Sequence, residues 1–278
     1  MSAFNDDIEV GSAISKWFLG KSVFITGGTG FMGKVLIEKL LRTCSVRRIY
    51  VLVRPKRGVD AKQRIEDIFN YKLFDRIKAT QPEVIQKVVA IKGDVTMEGL
   101  GISDEDEARL AEEVSVVFHA AATINFQEPM RVAVNLNILG TKRVVSLAKK
   151  MTNLKAFVHV STAYGNCHLP NIDEKLYAPP MESSKLIQLT EWLDDDMLES
   201  LTNKLIHPRP NTYTYTKALA EQVLITDGAN LPIVIIRPTI VCGAWREPIP
   251  GWVDNMFAFT GLLVGMGKGF LRSLYINE

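Results

Sequence analysis

Short, almost wholly apolar runs recur along this chain, separated by stretches whose apolar residues follow helical spacing. The runs are Ser22–Thr26, Ile49–Val53, Val88–Ile91, Val116–Phe118, Phe157–Val160 and Ile233–Ile236. Strands this uniformly apolar are expected where helices cover both faces of a parallel sheet. Between them, Lys34–Leu41 and Val132–Ala148 repeat apolar residues every three or four positions, as amphipathic helices do. The alternation predicts an α/β chain: a Rossmann-type doubly wound parallel sheet with helices on both faces and a ligand crevice at the carboxyl ends of the strands. Leu169–Pro180, with three prolines, reads as a loop, and 181–205 as a helical insert on the substrate side. The acidic run Asp194–Asp196 inside that insert reads as a solvated helix face. From Trp245 onward the chain is rich in Pro, Gly and Trp, which divides it into a Rossmann domain over 1–244 and part of a smaller substrate-binding region over 245–278.

Composition narrows the field without choosing a chemistry. A chain of 278 residues that is 47% hydrophobic and 23% charged can bury a sizeable core. A formal net charge of +2 gives no reason to expect a nucleic-acid partner. Cys44, Cys167 and Cys242 are an odd set with neither paired nor metal-type spacing, so a reducing compartment and no metal are expected. The start, Met1 to Asp7, is acidic and lacks the basic and apolar regions of a secretory leader. Met256–Met266 is the longest apolar stretch of the tail, well short of the ~20 residues that span a bilayer.

The first strand runs into Thr26-Gly27-Gly28-Thr29-Gly30-Phe31-Met32-Gly33. Gly27, Gly30 and Gly33 have the spacing that lets a backbone approach a pyrophosphate and a helix pack tightly behind it. The amides of that helix N-terminus then face the phosphates. About 20 residues further on, where an acid would bind the ribose hydroxyls of NAD, stands Arg54, with Lys56 and Arg57 behind it. A guanidinium there pairs with a 2′-phosphate, so the expected cofactor is NADPH. Asp94 and Val95, after the third strand, are placed to meet the adenine. Ala120, Ala121 and Ala122, after the fourth, leave room for the cofactor. His119 has no carboxylate or metal partner in sequence and reads as structural.

Tyr213 has a lysine four residues on, Lys217, so both share one helical face. An ammonium near a phenol favours the phenolate and lowers a pKa that otherwise lies near 10, which suits proton exchange with a carbonyl oxygen. Lys217 is also placed to hold the nicotinamide ribose. Tyr215 has Leu219 four residues on and no charge partner. A hydroxyl to orient the carbonyl is offered by Thr162 or by Ser161, both directly after the fifth strand, and at least one of these two only caps the turn. Cys167 raises a thioester-forming nucleophile, but no base stands near it in sequence.

The phrases Thr26–Gly33, Asn137-Ile-Leu-Gly-Thr141, Tyr213-Thr-Tyr-Thr-Lys217 and Ile236-Arg237-Pro238 resemble the extended short-chain dehydrogenase/reductase superfamily. Longer phrases, Val158-His-Val-Ser-Thr-Ala-Tyr164, Arg209–Glu221, Pro250–Asn255 and Gly261–Gly269, resemble the fatty acyl-CoA reductases within it. The likeness runs from about Phe18 to the last residues. It implies NADPH-dependent reduction of a long-chain fatty acyl-CoA to a primary fatty alcohol through an aldehyde, with Arg237 and Pro238 near the cofactor. Family members continue into a C-terminal domain, often with a membrane anchor. The chain is therefore expected to be a fragment or short isoform. A full-length parent would work at the cytosolic face of the endoplasmic reticulum or peroxisomal membrane. Two rivals stand beside this reading: a nucleotide-sugar epimerase or dehydratase of the same superfamily, and a catalytically silent NADPH-binding module. The apolar tail around Trp252, Phe257 and Phe259 argues for a lipid substrate.

Overall fold

A computed structural model describes residues 11–56, 58–257 and 259–275. The acidic N-terminal stretch, Arg57 of the basic cluster and the last three residues lie outside the described residues. Among the described residues six strands, β1 (Ser22–Thr26), β2 (Arg48–Val53), β3 (Val88–Lys92), β4 (Val114–His119), β5 (Ala156–Val160) and β6 (Ile233–Ile236), form one sheet in the order β3-β2-β1-β4-β5-β6. Every pairing is parallel. Strand order reverses between β1 and β4, which opens the crevice where dinucleotides bind in this topology.

The helices are α1 (Ala13–Trp17), α2 (Phe31–Thr43), α3 (Ala61–Ile68), α4 (Asp75–Thr80), α5 (Asp104–Glu113), α6 (Met130–Ala133), α7 (Gly140–Ala148), α8 (Ser183–Trp192), α9 (Asp195–Ile206), α10 (Thr212–Thr226) and α11 (Phe259–Gly267). Alternate residues of the central strands enter two cores. Val23, Ile25, Ile49, Val51 and Val53 pack with α2, α3 and α4 on one face. Phe24, Tyr50, Leu52 and Phe157 pack with α5, α7 and α10 on the other. This is the period of two expected of a sheet buried on both sides. The expectation of cover on both faces fails at β6. Ile233 and Ile235 join the second core, while Val234 and Ile236 turn the other way and are about half exposed.

The segment expected as one helix over 132–148 is helical from 130 to 148 but passes through a π-turn, Val134–Leu139, between α6 and α7. The insert over 181–205 is two helices rather than one. Asp194 accepts from the Met197 amide and caps α9, so the acidic run starts a helix, where its charge complements the helix dipole. These helices form a third core with α10 through Leu186, Leu198, Ile206, Tyr215 and Leu219.

The segment after β6 returns to the outer side of α2. Trp252 stacks on Phe31 with ring centroids 5.5 Å apart, Lys34 pairs with Asp254, and Glu247 accepts from Lys39 and Arg42 at 2.8 and 2.7 Å. Trp252 packs on the first core, whereas Phe257 and Phe259 remain exposed. Among the described residues no helix is long and apolar enough to cross a membrane.

Candidate active site

The glycine turn is built against β4. Gly27 has φ +75°, and a Cβ there would lie 2.7 Å from the Ala120 carbonyl carbon. Only glycine serves at a backbone crossing this close with this conformation. Thr26 fixes the crossing: its hydroxyl accepts from the Ala121 amide at 3.2 Å and contacts His119 Nδ1 at 2.7 Å. The tautomer follows from the partners. Thr141 Oγ1 donates to the Asn137 carbonyl at 2.7 Å, so it accepts from His119 Nε2 at 3.0 Å, and His119 Nδ1 accepts from Thr26. Burial and the Lys217 ammonium push the His119 pKa down to about 3. His119 is thus a neutral bracket between the glycine turn and α7, as its lack of a sequence partner suggested.

No side chain caps α2, whose N-cap is Gly30, so its first-turn amides are not taken by a cap. Beside this turn stand Arg54, at the end of β2, and Arg64, from α3. Arg64 donates to the Arg54 carbonyl at 2.5 Å and to Thr29 Oγ1 at 3.4 Å. Arg54 is exposed, and its Nη1 lies 3.9 Å from Asp94. Burial and the nearby Arg54 lower the Arg64 pKa. Two guanidiniums and an uncapped helix with a glycine turn suit an anionic dinucleotide. Asp94 itself accepts from the Thr96 amide and hydroxyl, both at 2.9 Å, which fixes its orientation toward Arg54. Val95 turns its side chain into the core and its carbonyl to Arg143, at 2.9 Å. Phe31 is held by Trp252, Met32 is partly exposed, and Gly33 abuts the turn at Gly27 and Gly28.

The second cluster lies at the carboxyl end of β5. Asn211 caps α10 by accepting from the Thr214 amide, which sets Tyr213 and Lys217 one turn apart on the face toward β5. Thr162 lies beside the Tyr213 phenol and favours its ionised form. Thr162 also accepts from the Tyr164 amide at 3.2 Å, so it caps the short turn Ala163–Asn166 as well as meeting the phenol. Ser161 faces elsewhere and donates to Glu221 at 2.5 Å. Glu221 in turn takes two bonds from Arg237, at 2.9 and 2.7 Å. Ser161 and Arg237 therefore belong to a buried bracket that ties β6 to α10. The Ser161 hydroxyl, expected as an alternative carbonyl-orienting group, and the Arg237 guanidinium, expected at the cofactor, are both engaged by Glu221, whereas Thr162 lies beside the phenol. The Pro238 carbonyl accepts from the Ala163 amide at 3.0 Å and steadies the Thr162 turn.

Lys217 is buried and donates to the Val160 carbonyl at 2.7 Å and to His159 Nε2 at 3.3 Å. Burial lowers its pKa to about 8, against the raising influence of Glu221 one turn on. Tyr213 shifts the other way. Burial raises its pKa, and Thr162 beside it only partly offsets that. The expected lowering of the phenol pKa by Lys217 is not found, because the ammonium is drawn inward to Val160 and His159. Tyr215 is a core side chain, and Cys167 is exposed at the end of the Thr162 turn.

Sequence reasoning gave no role to Arg64, Asn137, His159 or Glu221. Asn137 sits in the π-turn, accepts from the Thr123 amide at 3.0 Å and donates to Thr216 on α10 at 2.9 Å. Glu221 had a signal, its position four residues after Lys217. Nothing in the sequence around Arg64 marks it, since only the fold brings α3 back beside Arg54.

The fold and these two clusters define a Rossmann-type domain that holds a nicotinamide dinucleotide. The sequence pattern of an NAD-binding family described as "Male sterility protein" matches residues 25–278, and the chain belongs to that family. It is 49% identical to fatty acyl-CoA reductase 1 of Gallus gallus over 94% of this chain, and 48% identical to fatty acyl-CoA reductase 2 of Bos taurus over 95% of it. The chain spans about half, 51%, of the length of both. Among solved structures, the terminal R domain from the myxalamid PKS-NRPS biosynthetic pathway is similar over 91% of this chain and 56% of that one, with a TM-score of 0.64 and 26% identity. The PhqB reductase domain from Penicillium fellutanum shares the fold, with a TM-score of 0.60, 20% identity and coverage of 91% and 56%.

Proposed function

We propose that the chain binds NADPH and reduces a long-chain fatty acyl-CoA to the primary alcohol through an aldehyde at the same site. The observation that carries this reading is the placement of Tyr213 and the buried Lys217 one turn apart on α10, with Lys217 bonded to the end of β5 at the Val160 carbonyl, on the sheet edge where the glycine turn of β1 also opens. The relatives named fatty acyl-CoA reductase support the substrate class. Arg54 and Arg64 support NADPH, since their paired charge suits a 2′-phosphate better than a hydroxyl. The α8–α9 insert serves the substrate side in this reading, because it packs on α10, which carries Tyr213 and Lys217.

When bound, each NADPH would supply one hydride, so the passage from thioester to alcohol would take two NADPH molecules in turn. The chain's own residues do the rest. The hydroxyls of Thr162 and Tyr213 converge on the thioester carbonyl oxygen and orient it. Tyr213, kept protonated by burial, gives its proton to that oxygen as the carbon becomes tetrahedral. The phenolate takes the proton back as the C–S bond breaks, the CoA thiolate leaves and the aldehyde forms. The same pair then holds the aldehyde oxygen, Tyr213 protonates it to the alcohol, and the phenolate is reprotonated from solvent. Lys217 keeps one N–H beyond those given to Val160 and His159, available to the cofactor ribose.

The test is NADPH oxidation by the purified chain with palmitoyl-CoA, with aldehyde and alcohol separated. Tyr213→Phe is expected to cut turnover by at least about a hundredfold while NADPH still binds. Unchanged turnover in this variant would remove Tyr213 from the mechanism. Tight binding of a sugar nucleotide with no response to acyl-CoA would favour the epimerase class instead.

A further inference from the structure

We propose that Phe126, on the loop between β4 and α6, is the residue that grips the acyl chain next to the reacting carbonyl and sets a preference for long apolar substrates. The proposal rests on the acyl-CoA reading of the Tyr213 site and adds the specificity contact to it. Phe126 lies beside the phenol of Tyr213, with ring centroids 5.6 Å apart and planes inclined at 33°. It is nevertheless 61% exposed, and Ile124 on the same loop is 59% exposed.

A single exposed apolar side chain needs no explanation on a mobile surface. This loop is held by its own polar side chains. The Thr123 amide donates to Asn137, Thr123 Oγ1 donates to Glu128 at 2.7 Å, and the amides of Asn125 and Gln127 donate to Thr123 Oγ1 and Asn125 Oδ1 at 3.2 and 3.1 Å. Thr212, at the start of α10, donates to the Glu128 carbonyl at 2.8 Å and fastens the loop to the helix that carries Tyr213. The chain thus fixes an aromatic ring in water at the rim of the catalytic phenol, where burying it against a ligand gains the apolar contact without a further ordering cost.

The chemistry of the loop chooses the end of the substrate. Thr123-Ile124-Asn125-Phe126-Gln127 carries no lysine or arginine to meet the phosphates of CoA. An alkyl chain leaving the carbonyl at Tyr213 and Thr162 finds instead an aromatic face and an isoleucine.

The experiment is calorimetric titration of the NADP-loaded chain with dodecanoyl-CoA and butyryl-CoA, for wild type, Phe126→Ala and Phe126→Leu, with the NADPH Kd measured in parallel. The wild type is expected to bind the longer chain more tightly. Phe126→Ala should shrink that ratio about tenfold, Phe126→Leu should keep most of it, and the NADPH Kd should stay unchanged. An unchanged ratio in Phe126→Ala, or no chain-length preference in the wild type, overturns the proposal. A change in NADPH affinity in place of the ratio also overturns it and assigns the ring to the cofactor. The broader reading is judged separately by hydride transfer to butyryl-CoA: turnover without chain-length dependence keeps the reductase and discards Phe126.

Discussion

Lys217 sets the pH behaviour expected of this site. Burial brings its pKa to about 8 in the folded chain, against about 10.4 for a free lysine. Tyr213 is shifted upward by burial and stays protonated across the neutral range. The ammonium of Lys217 is therefore the group whose charge is lost first as pH rises. Activity is expected to be flat below pH 8 and to fall above it, with kcat/KM for an acyl-CoA reporting the limb in the free enzyme. Stability moves the other way. Between pH 8 and about 10.4 the unfolded chain holds a proton that the folded one has released, so this residue adds stability as pH rises through that window. Lys217→Met should remove that slope from a series of thermal melts, and a basic limb that does not move in this variant would detach it from Lys217. The four-residue spacing of Tyr213 and Lys217 made the pair visible in sequence. The direction of each shift was not visible, because it depends on Val160, His159 and Thr162, which reach the pair only through the packing of β5 on α10.

Among the elements, the strands were the most legible, because both sheet faces are buried and their residues are apolar without interruption. β1 and β6 run over the very residues expected, β2, β3 and β5 differ by one residue at one end, and β4 is longer by two at its start and one at its end. The division of the insert into α8 and α9 was hidden. Its apolar spacing continues across the break, and Asp194, the cap that starts α9, stood in a run of three identical acids. The return of 244–254 onto α2 was also hidden, since it depends on charges some two hundred residues apart in sequence. That contact is testable through Glu247, whose pKa is lowered to about 2 by its hydrogen bonds to Lys39 and Arg42. A carboxyl depressed in the folded state stabilises above its unfolded pKa, near 4.3, and loses that contribution as pH falls toward 2. Glu247→Gln should lower stability by about 1 kcal/mol or less at neutral pH, a small amount because the side chain is 37% exposed. The gap between variant and wild type should close between pH 4 and 2. A gap that is constant with pH would mean that packing, not the ion pair, holds the segment.

Across the whole molecule, the cofactor turn and the acid–base pair are joined by a line of buried polar side chains. Thr26 bonds His119, the rings of His119 and His159 lie 5.2 Å apart, and His159 meets Lys217. In the reading proposed above, a dinucleotide laid along the carboxyl edge of this sheet would touch elements that the chain otherwise links only through its core: the turn before α2, the end of β2, α3 and the face of α10. Its binding free energy is then felt as stability of the entire fold, since ligand bound only to the native state adds RT ln(1 + [L]/Kd). At a hundredfold excess over Kd this is about 2.7 kcal/mol, or roughly 5–10 °C in Tm for a domain of this size. The fold thus becomes the readout for cofactor choice. NADPH is expected to raise Tm more than NADH at equal concentration. Arg54→Gln and Arg64→Gln should each bring the NADPH shift down toward the NADH shift while leaving the latter in place, because only the 2′-phosphate distinguishes the two ligands. Equal shifts in the wild type, or variants that weaken both cofactors alike, would confine the arginines to the shared pyrophosphate and leave Arg54 and Arg64 without a part in the selection.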